Sequence, residues 1–245
     1  MAGIDYLDGS IYHMVHFDNL LNIFRRRALL SKLKVLEENI NYRSIAFEDV
    51  QSLRDRVYVR DIFERKIRRL HSYVPFYFET HSPMLYVQYR NGIQDKIVFF
   101  EVNRAILKDK GVLFTDGNAS NQQLAKYSSE KVLITPATSS NPSCYRKYNT
   151  GTPYGTNPNC SNFYSDPKFL ENLNWDIIND HWFNEDEKRR IKHAEVLVPD
   201  IVPLRRVQGI YVRTPEMVGA VNAIIDEQGL TGRIPNTIAK PEMYF

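Results

Sequence analysis

Aromatic and basic side chains are interleaved in a polar segment between residues 137 and 165. The residues that carry this pattern are Tyr145, Arg146, Lys147, Tyr148 and Tyr154. Rings of this kind stack on splayed nucleobases while cations hold phosphates, so the pattern predicts a surface that reads single-stranded nucleic acid. The alternative is a long inserted loop whose tyrosines pack on the body of the domain.

A second concentration of positive charge lies between Arg54 and Arg69, where seven basic residues accompany three acidic ones. Arginine forks match the paired oxygens of phosphates, which favours a phosphate-binding flank. A mixed charge run is also typical of a solvated helix face. Apolar residues between Ile45 and Leu70 recur at helical spacing over part of this segment, so we expect it to be partly helical.

These residues must be positioned by strands and by the loops that follow them. Tyr73–Phe78 is rich in the aromatic and β-branched residues of strands, and the polar turn after it contains Pro83, which we expect to end the strand. His16 lies where a predicted strand gives way to a helix that Asp18 or Asn19 would cap. Glu195 is the second residue of a short predicted strand, residues 194–199, which we expect at a sheet edge.

The composition predicts one soluble α+β domain over residues 1–245. Hydrophobic residues make up 43% and charged residues 25% of the chain, and the net charge is +3, values ordinary for a globular protein that tolerates but does not require a nucleic-acid partner. The sequence has neither GxGxxG nor GxxxxGK[ST], so no dinucleotide-binding or P-loop fingerprint is present.

Several function classes are unfavoured by the same data. Apolar runs stay far below the ~20 residues of a membrane span, and the first residues do not form a secretion signal. Two cysteines are too few for a disulfide framework, so we expect a cytoplasmic protein with no membrane association. Ligand spacings typical of zinc sites are absent, so we expect no metal.

Four segments, in this order and spacing, resemble the DarT-type DNA ADP-ribosyltransferases, toxins of bacterial toxin–antitoxin systems. They are residues 15–20 (VHFDNL), residues 45–54, residues 73–85 (YVPFYFETHSPML) with residues 114–119 (FTDGNA), and residues 193–199 (HAEVLVP). Residues 73–85 are the most specific of these. The resemblance covers nearly the whole chain and implies an ADP-ribosyltransferase core, a mixed, split β-sheet with helices packed around it.

The resemblance also implies the site residues. Glu195 matches the catalytic glutamate and Arg54 matches the arginine at the NAD+ site, which we take as the catalytic pair. The positions implied for NAD+ binding are His16, Asp18, Asn19, Tyr73, Tyr77 and Met84. Asn118 stands where the family often has a histidine; because Asn does not titrate near neutral pH, this departure removes any acid–base role from that position.

The implied reaction takes NAD+ as co-substrate, releases nicotinamide and attaches ADP-ribose to thymine or guanine of single-stranded DNA. A carboxylate such as Glu195 stabilises the oxocarbenium-like centre that forms when the nicotinamide bond breaks, and an arginine fork holds phosphate. The insertion at residues 137–165 lies where the substrate-reading loop should be. A macrodomain antitoxin that removes ADP-ribose is the implied partner.

Two alternatives stay open at this stage. The same fold could modify RNA or protein in place of DNA. A second possibility is a catalytically inactive module that holds nucleic acid through the run from Arg54 to Arg69, whose binding would depend steeply on salt.

Overall fold

The fold is organised around the apolar strand that the sequence predicts after residue 72. A computed structural model describes residues 6–121, 131–138, 143–147 and 160–245. Within these ranges the strands are β1 Ser10–His16, β2 Ala28–Leu30, β3 Val57–Arg60, β4 Ile67–Arg69, β5 Tyr73–Tyr77, β6 Ile97–Asn103, β7 Leu113–Thr115, β8 Val132–Thr135, β9 Cys144–Lys147, β10 Phe163–Tyr164, β11 Glu195–Pro199, β12 Ile201–Pro203, β13 Val207–Val212 and β14 Thr237–Ala239. The helices are α1 Leu20–Arg26, α2 Lys32–Glu37, α3 Glu48–Arg54, α4 Pro83–Arg90, α5 Trp175–Asn179, α6 Asp186–Lys192 and α7 Pro215–Glu227.

The larger sheet has the strand order β10-β7-β11-β5-β1-β6-β13-β14. Its strand pairs are antiparallel, apart from β13 with β14, which are parallel. The apolar residues of β5, β6 and β11 are buried, as expected of strands covered on both faces. The register places Glu195 opposite Tyr77 and Tyr77 opposite Tyr12, so these three residues form one row across the sheet.

The larger sheet is split between β1 and β5. β1 pairs with β6 along its whole length, but its pairing with β5 is restricted to Tyr12 and Tyr77. The side chain of His13 bridges the two strands beyond that point, because its Nδ1 donates to the carbonyl oxygen of Pro75 at 2.7 Å. This gap in the sheet is where the cavities described below are found.

A smaller sheet, with the order β4-β3-β8-β9, packs against the larger one. Its inward residues Val57, Val59, Val132 and Ile134 are buried in a core that includes Leu113 and Leu197 of the larger sheet. Alternate residues of a strand point to opposite faces, so Tyr58 and Leu133 lie on the other face of the small sheet, where they are buried too. β2 and β12 form a short separate pair.

Helices cover the larger sheet and complete the main core. Phe24 of α1, Ile178 of α5 and Val221 of α7 are buried in one cluster with sheet residues such as Phe76 and Phe100. The predicted α+β class with a mixed, split sheet and surrounding helices is therefore confirmed. In the described part of the chain, no helix has the length and apolarity needed to cross a membrane.

The expectation that residues 45–70 are partly helical is confirmed by α3, whereas two other predictions about local structure are wrong. The charged stretch that follows α3 forms β3 and β4. Pro83 does not simply end a strand; it begins α4, whose first turn is capped by the Ser82 hydroxyl accepting from the backbone N–H of Leu85 at 3.2 Å. Glu195 is not at a sheet edge, because β11 lies between β5 and β7.

The insertion at residues 137–165 is also not a loop throughout. β9 pairs with β8, and β10 pairs with β7. Phe163 is fully buried in the core between the sheets. The polar composition of the segment concealed these strands, because their partners lie outside the segment itself.

Candidate active site

A buried ion pair between Glu195 and Arg54 forms the centre of the site. Nη1 of Arg54 donates to Oε1 of Glu195 at 3.0 Å and to Oε2 at 3.1 Å. The side chain of Glu195 is only 4% exposed and that of Arg54 only 10%. Arg54 is the last residue of α3 and Glu195 the first residue of β11, so the pair joins two elements that are distant in the sequence.

The turn after β7 holds the carboxylate of Glu195 from its other side. The backbone N–H of Ala119 donates to Oε1 of Glu195 at 2.9 Å, and the N–H of Glu195 donates to the hydroxyl of Thr115 at 3.2 Å. That hydroxyl donates to the carbonyl of Gly117 at 2.6 Å. The acid is thus oriented by donors on two sides before any substrate binds, as electrostatic catalysis requires.

Tyr77 and His193 flank the carboxylate. Burial raises the pKa of Tyr77 above its usual value, and the neighbouring Glu195 raises it further, so the phenol stays protonated at neutral pH. Burial lowers the pKa of His193, whose Nδ1 donates to the carbonyl of Arg189 at 2.9 Å. Both side chains are therefore uncharged hydrogen-bonding groups beside a carboxylate.

A cavity of about 690 Å³ opens in front of this group, within the range typical of small-molecule sites. Its lining includes Arg54, Tyr77, Met84, Asn118 and Glu195. The structure therefore brings together five residues that the sequence predicted for catalysis, NAD+ binding and substrate binding.

A smaller cavity of about 210 Å³ lies on the other side of Arg54. The residues that line both cavities are His13, Met14, Ile45, Ala46, Gln51, Arg54 and Pro75. Three further cations, Arg26, Lys32 and Arg43, line the small cavity. An elongated anionic ligand could therefore extend from one cavity into the other past Arg54.

His13 is a site residue that the sequence argument missed. It lines both cavities, and burial lowers its pKa to about 4, so the ring is neutral at physiological pH. Because Nδ1 carries the proton donated to Pro75, Nε2 is left as a hydrogen-bond acceptor. The alternation of residues along β1 did not indicate that His13 lines the cavities, because this position results from the split between β1 and β5.

His16, Asp18 and Asn19 lie at the end of β1 and hold the backbone. Nδ1 of His16 accepts from the N–H of Asp18 at 3.1 Å, and Asp18 pairs with Arg43 at 3.1 Å. Nδ2 of Asn19 donates to the carbonyl of Arg43 at 2.9 Å, while its Oδ1 accepts from the N–H of Arg43 at 2.7 Å. As far as the chain is described, only Asn19 of these three lines a cavity, the small one.

Residues 40–46, which we call the strap, connect these contacts to the cavities. Ile40 and Tyr42 to Ala46 line the small cavity, and Asn22 of α1 donates to the carbonyl of Asn41 at 2.9 Å. Asn19 therefore holds the strap through the backbone of Arg43, and its role in NAD+ binding stays a prediction. Tyr73 also lines the small cavity; its ring is buried in the core, and burial raises the pKa of its hydroxyl above the usual value.

The predicted DNA-reading residues are only partly described. Tyr148 and Tyr154 lie outside the described residues, and so does the side chain of Tyr145, whose backbone is part of β9. Arg146 is exposed and Lys147 is half-buried on β9. Their role in substrate binding stays a prediction.

An aromatic wall that the sequence did not indicate lines the mouth of the large cavity. Its members are Tyr86, Trp182, Phe183 and Phe245. They come from three segments of the chain, and Tyr86 packs edge-to-face on Phe183 and Phe245 at 5.8 and 5.3 Å between ring centroids. No pattern within one segment could have gathered them.

In the described residues there is no cluster of three or more His, Cys, Asp or Glu that could hold a metal ion.

Comparison with known proteins gives a consistent set of relatives. A family model for "ssDNA thymidine ADP-ribosyltransferase, DarT" matches residues 12–139 and 153–245. A DNA ADP-ribosyl transferase from Thermus sp. (strain 2.9) is 26% identical over 243 residues, which cover 96% of this chain and 95% of that protein. A DNA ADP-ribosyl transferase–DNA ADP-ribosyl glycohydrolase fusion protein from Thermosipho africanus (strain H17ap60334) is 24% identical over 237 residues. The match covers 96% of this chain and 49% of the fusion protein, so the chain spans about half of its length.

Solved structures show the same fold. DarT of Thermus sp. 2.9 in complex with ADP-ribosylated ssDNA superposes with a TM-score of 0.73 at 24% identity, covering 97% of both chains. The same protein in complex with NAD+ gives a TM-score of 0.69 at 24% identity, covering 97% of this chain and 98% of that one.

Proposed function

Because this chain belongs to the DarT family of single-stranded-DNA thymidine ADP-ribosyltransferases, we propose that Glu195 and Arg54 are the pair that transfers ADP-ribose from NAD+ to a thymine base. The protein is an NAD+-dependent enzyme that ADP-ribosylates single-stranded DNA, in keeping with its relatives. The single observation that carries the residue assignment is the buried Glu195–Arg54 pair at the junction of the two cavities.

NAD+ would lie across both cavities. The ADP half carries two phosphates, and the small cavity offers Arg26, Lys32 and Arg43 to them. The nicotinamide ribose would then lie at the junction near Glu195, with Nε2 of His13 available to accept from a ribose hydroxyl. Tyr77 and Met84 line the large cavity, where the nicotinamide ring would be held.

The main requirement of the reaction is stabilisation of the positive charge that develops on the ribose, and no covalent bond to the enzyme is needed. As the bond between nicotinamide and ribose breaks, its electron pair leaves with nicotinamide and positive charge develops on the ribose. The carboxylate of Glu195 stabilises that charge. A ring nitrogen of thymine then attacks the ribose carbon, and its proton passes to Glu195 as general base, a contribution of roughly 10²–10⁴-fold. The products are nicotinamide, the ADP-ribosylated base and one proton.

We assign the base as thymine from the family description. Asn118 lines the large cavity, where the base would be held. Its Oδ1 already accepts from the N–H and the hydroxyl of Ser120 at 2.9 and 2.7 Å, so its Nδ2 is the group that would donate to a carbonyl oxygen of thymine. The base must leave any duplex stack to reach this cavity, which fits single-stranded DNA as the substrate.

A reversing partner is part of the proposal. The Thermosipho relative joins its transferase half to a DNA ADP-ribosyl glycohydrolase. We expect this chain to act as a toxin whose damage is reversed by a macrodomain-type glycohydrolase, encoded with it or fused to it.

The test is mass spectrometry of short single-stranded oligonucleotides incubated with NAD+. One oligonucleotide contains thymine without guanine, another contains guanine without thymine, and a third is RNA of mixed sequence. We expect one ADP-ribose on the thymine oligonucleotide, released nicotinamide in equal amount, and loss of both with Glu195→Gln. Glu171→Gln, a change at an exposed glutamate, serves as the matched control.

The outcomes separate the parts of the proposal. Modification of the guanine oligonucleotide alone would make the base assignment wrong, and an adduct on RNA alone would replace the substrate. A Glu195→Gln variant that modifies DNA at the wild-type rate would remove Glu195 from the mechanism.

A further inference from the structure

Exposed aromatic side chains are concentrated at the mouth of the large cavity. In the described part of the chain, six aromatic residues are among the large hydrophobic residues that remain exposed, and three of them, Phe47, Tyr86 and Trp182, line this cavity. Trp182 is the most exposed of the six, at 73%. Apolar side chains that remain exposed together beside a cavity mark a binding surface.

Tyr89 extends the aromatic wall onto the surface of α4. Its ring centroid lies 6.0 Å from that of Tyr86 and 6.0 Å from that of Phe245, and Tyr89 is 46% exposed. Tyr86 precedes Tyr89 by three residues and Arg90 by four, so the three side chains share one face of the helix. A row of rings with a cation beside it therefore leads outward from the cavity mouth.

The rings of the wall are held in position by contacts within the protein. The backbone of Phe245 is fixed because Nε2 of Gln94 donates to its carbonyl oxygen at 2.7 Å, and its N–H donates to Oε1 of Gln94 at 3.2 Å. Phe183 packs edge-to-face on Phe245 at 6.2 Å between centroids. The N–H of Trp182 donates to Oδ1 of Asp180 at 3.1 Å. A pre-organised surface loses little conformational freedom when a flat ligand covers it.

Trp182 and Arg90 have faces that the rest of the described chain leaves open. Within the described residues, no hydrogen-bond partner reaches the indole nitrogen of Trp182, and no ring packs on its indole. Arg90 is exposed and forms no ion pair with any residue that the structure describes. The indole and the guanidinium are therefore accessible to a ligand.

The charges that follow Trp182 balance one another. The acidic residues around the start of α6 are each paired with a basic residue three positions later: Glu185 with Lys188, Asp186 with Arg189 and Glu187 with Arg190. Contacts near Trp182 are therefore made by rings more than by net charge, which favours a flat aromatic ligand at that end of the surface.

We propose that the aromatic wall, extended by Tyr89, stacks the bases next to the target thymine in single-stranded DNA, with Arg90 contacting a phosphate between them. This inference rests on the proposed function for the identity of the substrate. A base that enters the large cavity leaves the stack of its neighbours, so the neighbours lose a stacking partner at the cavity mouth. Aromatic side chains replace that partner whatever the neighbouring base, because every base has a π-face.

The first test measures binding of labelled single-stranded oligonucleotides by fluorescence anisotropy, without NAD+ so that no transfer occurs. One oligonucleotide has a central thymine among cytosines, and the other has abasic sites on both sides of that thymine. Trp182→Ala and Tyr89→Ala are compared with Phe63→Ala, at an exposed aromatic residue that lines neither cavity. Circular dichroism reports the fold of each variant, and calorimetry gives its Kd for NAD+.

Each stacked base contributes roughly 5- to 150-fold in affinity. We expect losses in this range for Trp182→Ala and Tyr89→Ala on the intact oligonucleotide, and wild-type affinity for Phe63→Ala. The double variant Trp182→Ala/Tyr89→Ala should lose little further affinity for the abasic oligonucleotide, because ring and base belong to one contact. Both single variants should keep the wild-type slope of log K against log salt, whereas Arg90→Gln should lose roughly 0.7 of it.

Intrinsic fluorescence gives a second, direct test, because the chain has two tryptophans. Trp175 stacks on Tyr6, and its Nε1 donates to the carbonyl of Leu170 at 2.8 Å. We therefore expect DNA to quench the wild-type protein but not Trp182→Phe, in which Trp175 is the remaining tryptophan.

The outcomes separate this inference from the proposed function. Wild-type affinity in Trp182→Ala, additive losses from ring and base, or quenching that persists in Trp182→Phe would overturn it. A loss of NAD+ affinity with unchanged DNA binding would also overturn it, by assigning the wall to nicotinamide. A wild-type protein that binds DNA through the wall but does not modify it would count against the proposed function alone.

Discussion

At the scale of single residues, Glu195, the proposed catalytic acid, is held by a cation that is itself buried. Removing two charges from water costs several kcal/mol, which their attraction offsets only with good geometry. Arg54 meets this condition because one nitrogen reaches both oxygens of Glu195, while Ala119 donates to one of them. The pair therefore serves orientation, and its members depend on each other for stability.

This dependence predicts the effect of removing one partner. Glu195→Gln leaves Arg54 buried and unpaired, so we expect the free energy of unfolding to fall by about 3–5 kcal/mol. Arg54→Met should cost a comparable amount by leaving the carboxylate unpaired. The double variant should be more stable than either single variant while remaining inactive. Urea unfolding of the four proteins gives the coupling energy; simply additive losses would show that the pair is not coupled.

The low pKa of His13 predicts a pH-dependent stability. Burial lowers this pKa to about 4 from an ordinary value of 6.5, so the unfolded chain binds the proton more readily. The contribution of neutral His13 to the free energy of unfolding is therefore fully present above pH 6.5. It decreases as the pH falls toward 4, by at most about 3 kcal/mol for this one group. His71, whose pKa burial also lowers to about 4, adds to the decrease.

Urea unfolding measured across this pH range tests the assignment. We expect His13→Gln to have a shallower decrease in unfolding free energy than the wild type, and His181→Gln, at an exposed histidine, to follow the wild type. A wild-type slope in His13→Gln would mean that His13 is not the group that titrates.

At the scale of elements, the turn after β7 determines where the Ala119 N–H points. A Cβ on Gly117 would lie 2.5 Å from Nη1 of Arg190, 2.8 Å from Oγ of Ser161 and 3.0 Å from the carbonyl oxygen of Arg190. The last of these is backbone, so the turn itself must move. We expect Gly117→Ala to cost roughly 1–3 kcal/mol in stability and to lower kcat by about tenfold through the displaced donor.

Gly219 provides the matched comparison for this substitution. It lies in α7, and a Cβ there would have no neighbour within 4 Å. Gly219→Ala should stabilise the protein by about 0.5–1 kcal/mol without changing kcat. Unfolding curves and initial rates for both variants check this; an unchanged kcat in Gly117→Ala would show that the turn tolerates displacement.

The strap is a second element whose position should affect binding. Asn19 makes two hydrogen bonds to the backbone of Arg43, and Asn22 makes one to Asn41. We expect Asn19→Ala to raise KM for NAD+ by about tenfold with little change in kcat, and Asn22→Ala to have a smaller effect, because each neutral bond contributes about 0.5–1.5 kcal/mol. Asn91→Ala, at an exposed position on α4's C-terminal end, is the control. A loss confined to kcat would contradict the role of the strap in binding.

Elements with a strong local signal were predictable from the sequence. β5 and β6 are apolar runs, and α7 starts at Pro215 after a Thr214 cap and is followed by Gly229. β3 and β4 were not predictable, because they lie in a run of mixed charge that is also typical of a solvated helix face, and β4 buries none of its residues. Glu195, Arg54 and Tyr77 were found through family resemblance. His13 and the aromatic wall were missed because the split sheet and distant segments create them.

At the scale of the whole molecule, the two sheets contribute different residues. The larger sheet supplies Glu195, Tyr77 and His13 around the split, and the smaller sheet carries exposed cations such as Arg60 and Arg69. The substrate-loop segment is tied to both: β9 joins the small sheet, while Asn162 donates through its backbone and its side chain to Asp116, both at 2.8 Å.

These ties determine which part of the insertion can be removed. Deleting residues 137–165 would remove β9, β10 and the buried Phe163, so it would damage the core as well as substrate reading. Replacing only residues 148–159 with a short Gly/Ser linker keeps every anchor described above. We expect this variant to bind NAD+ with the wild-type Kd, measured by calorimetry, and to lose part of its preference for thymine over guanine oligonucleotides. The Tyr148→Ala/Tyr154→Ala variant tests whether the rings alone supply that preference. An unchanged preference in the linker variant would assign base selection to the cavity wall, where Asn118 lies, and a loss of NAD+ binding would show that the segment supports the cofactor site.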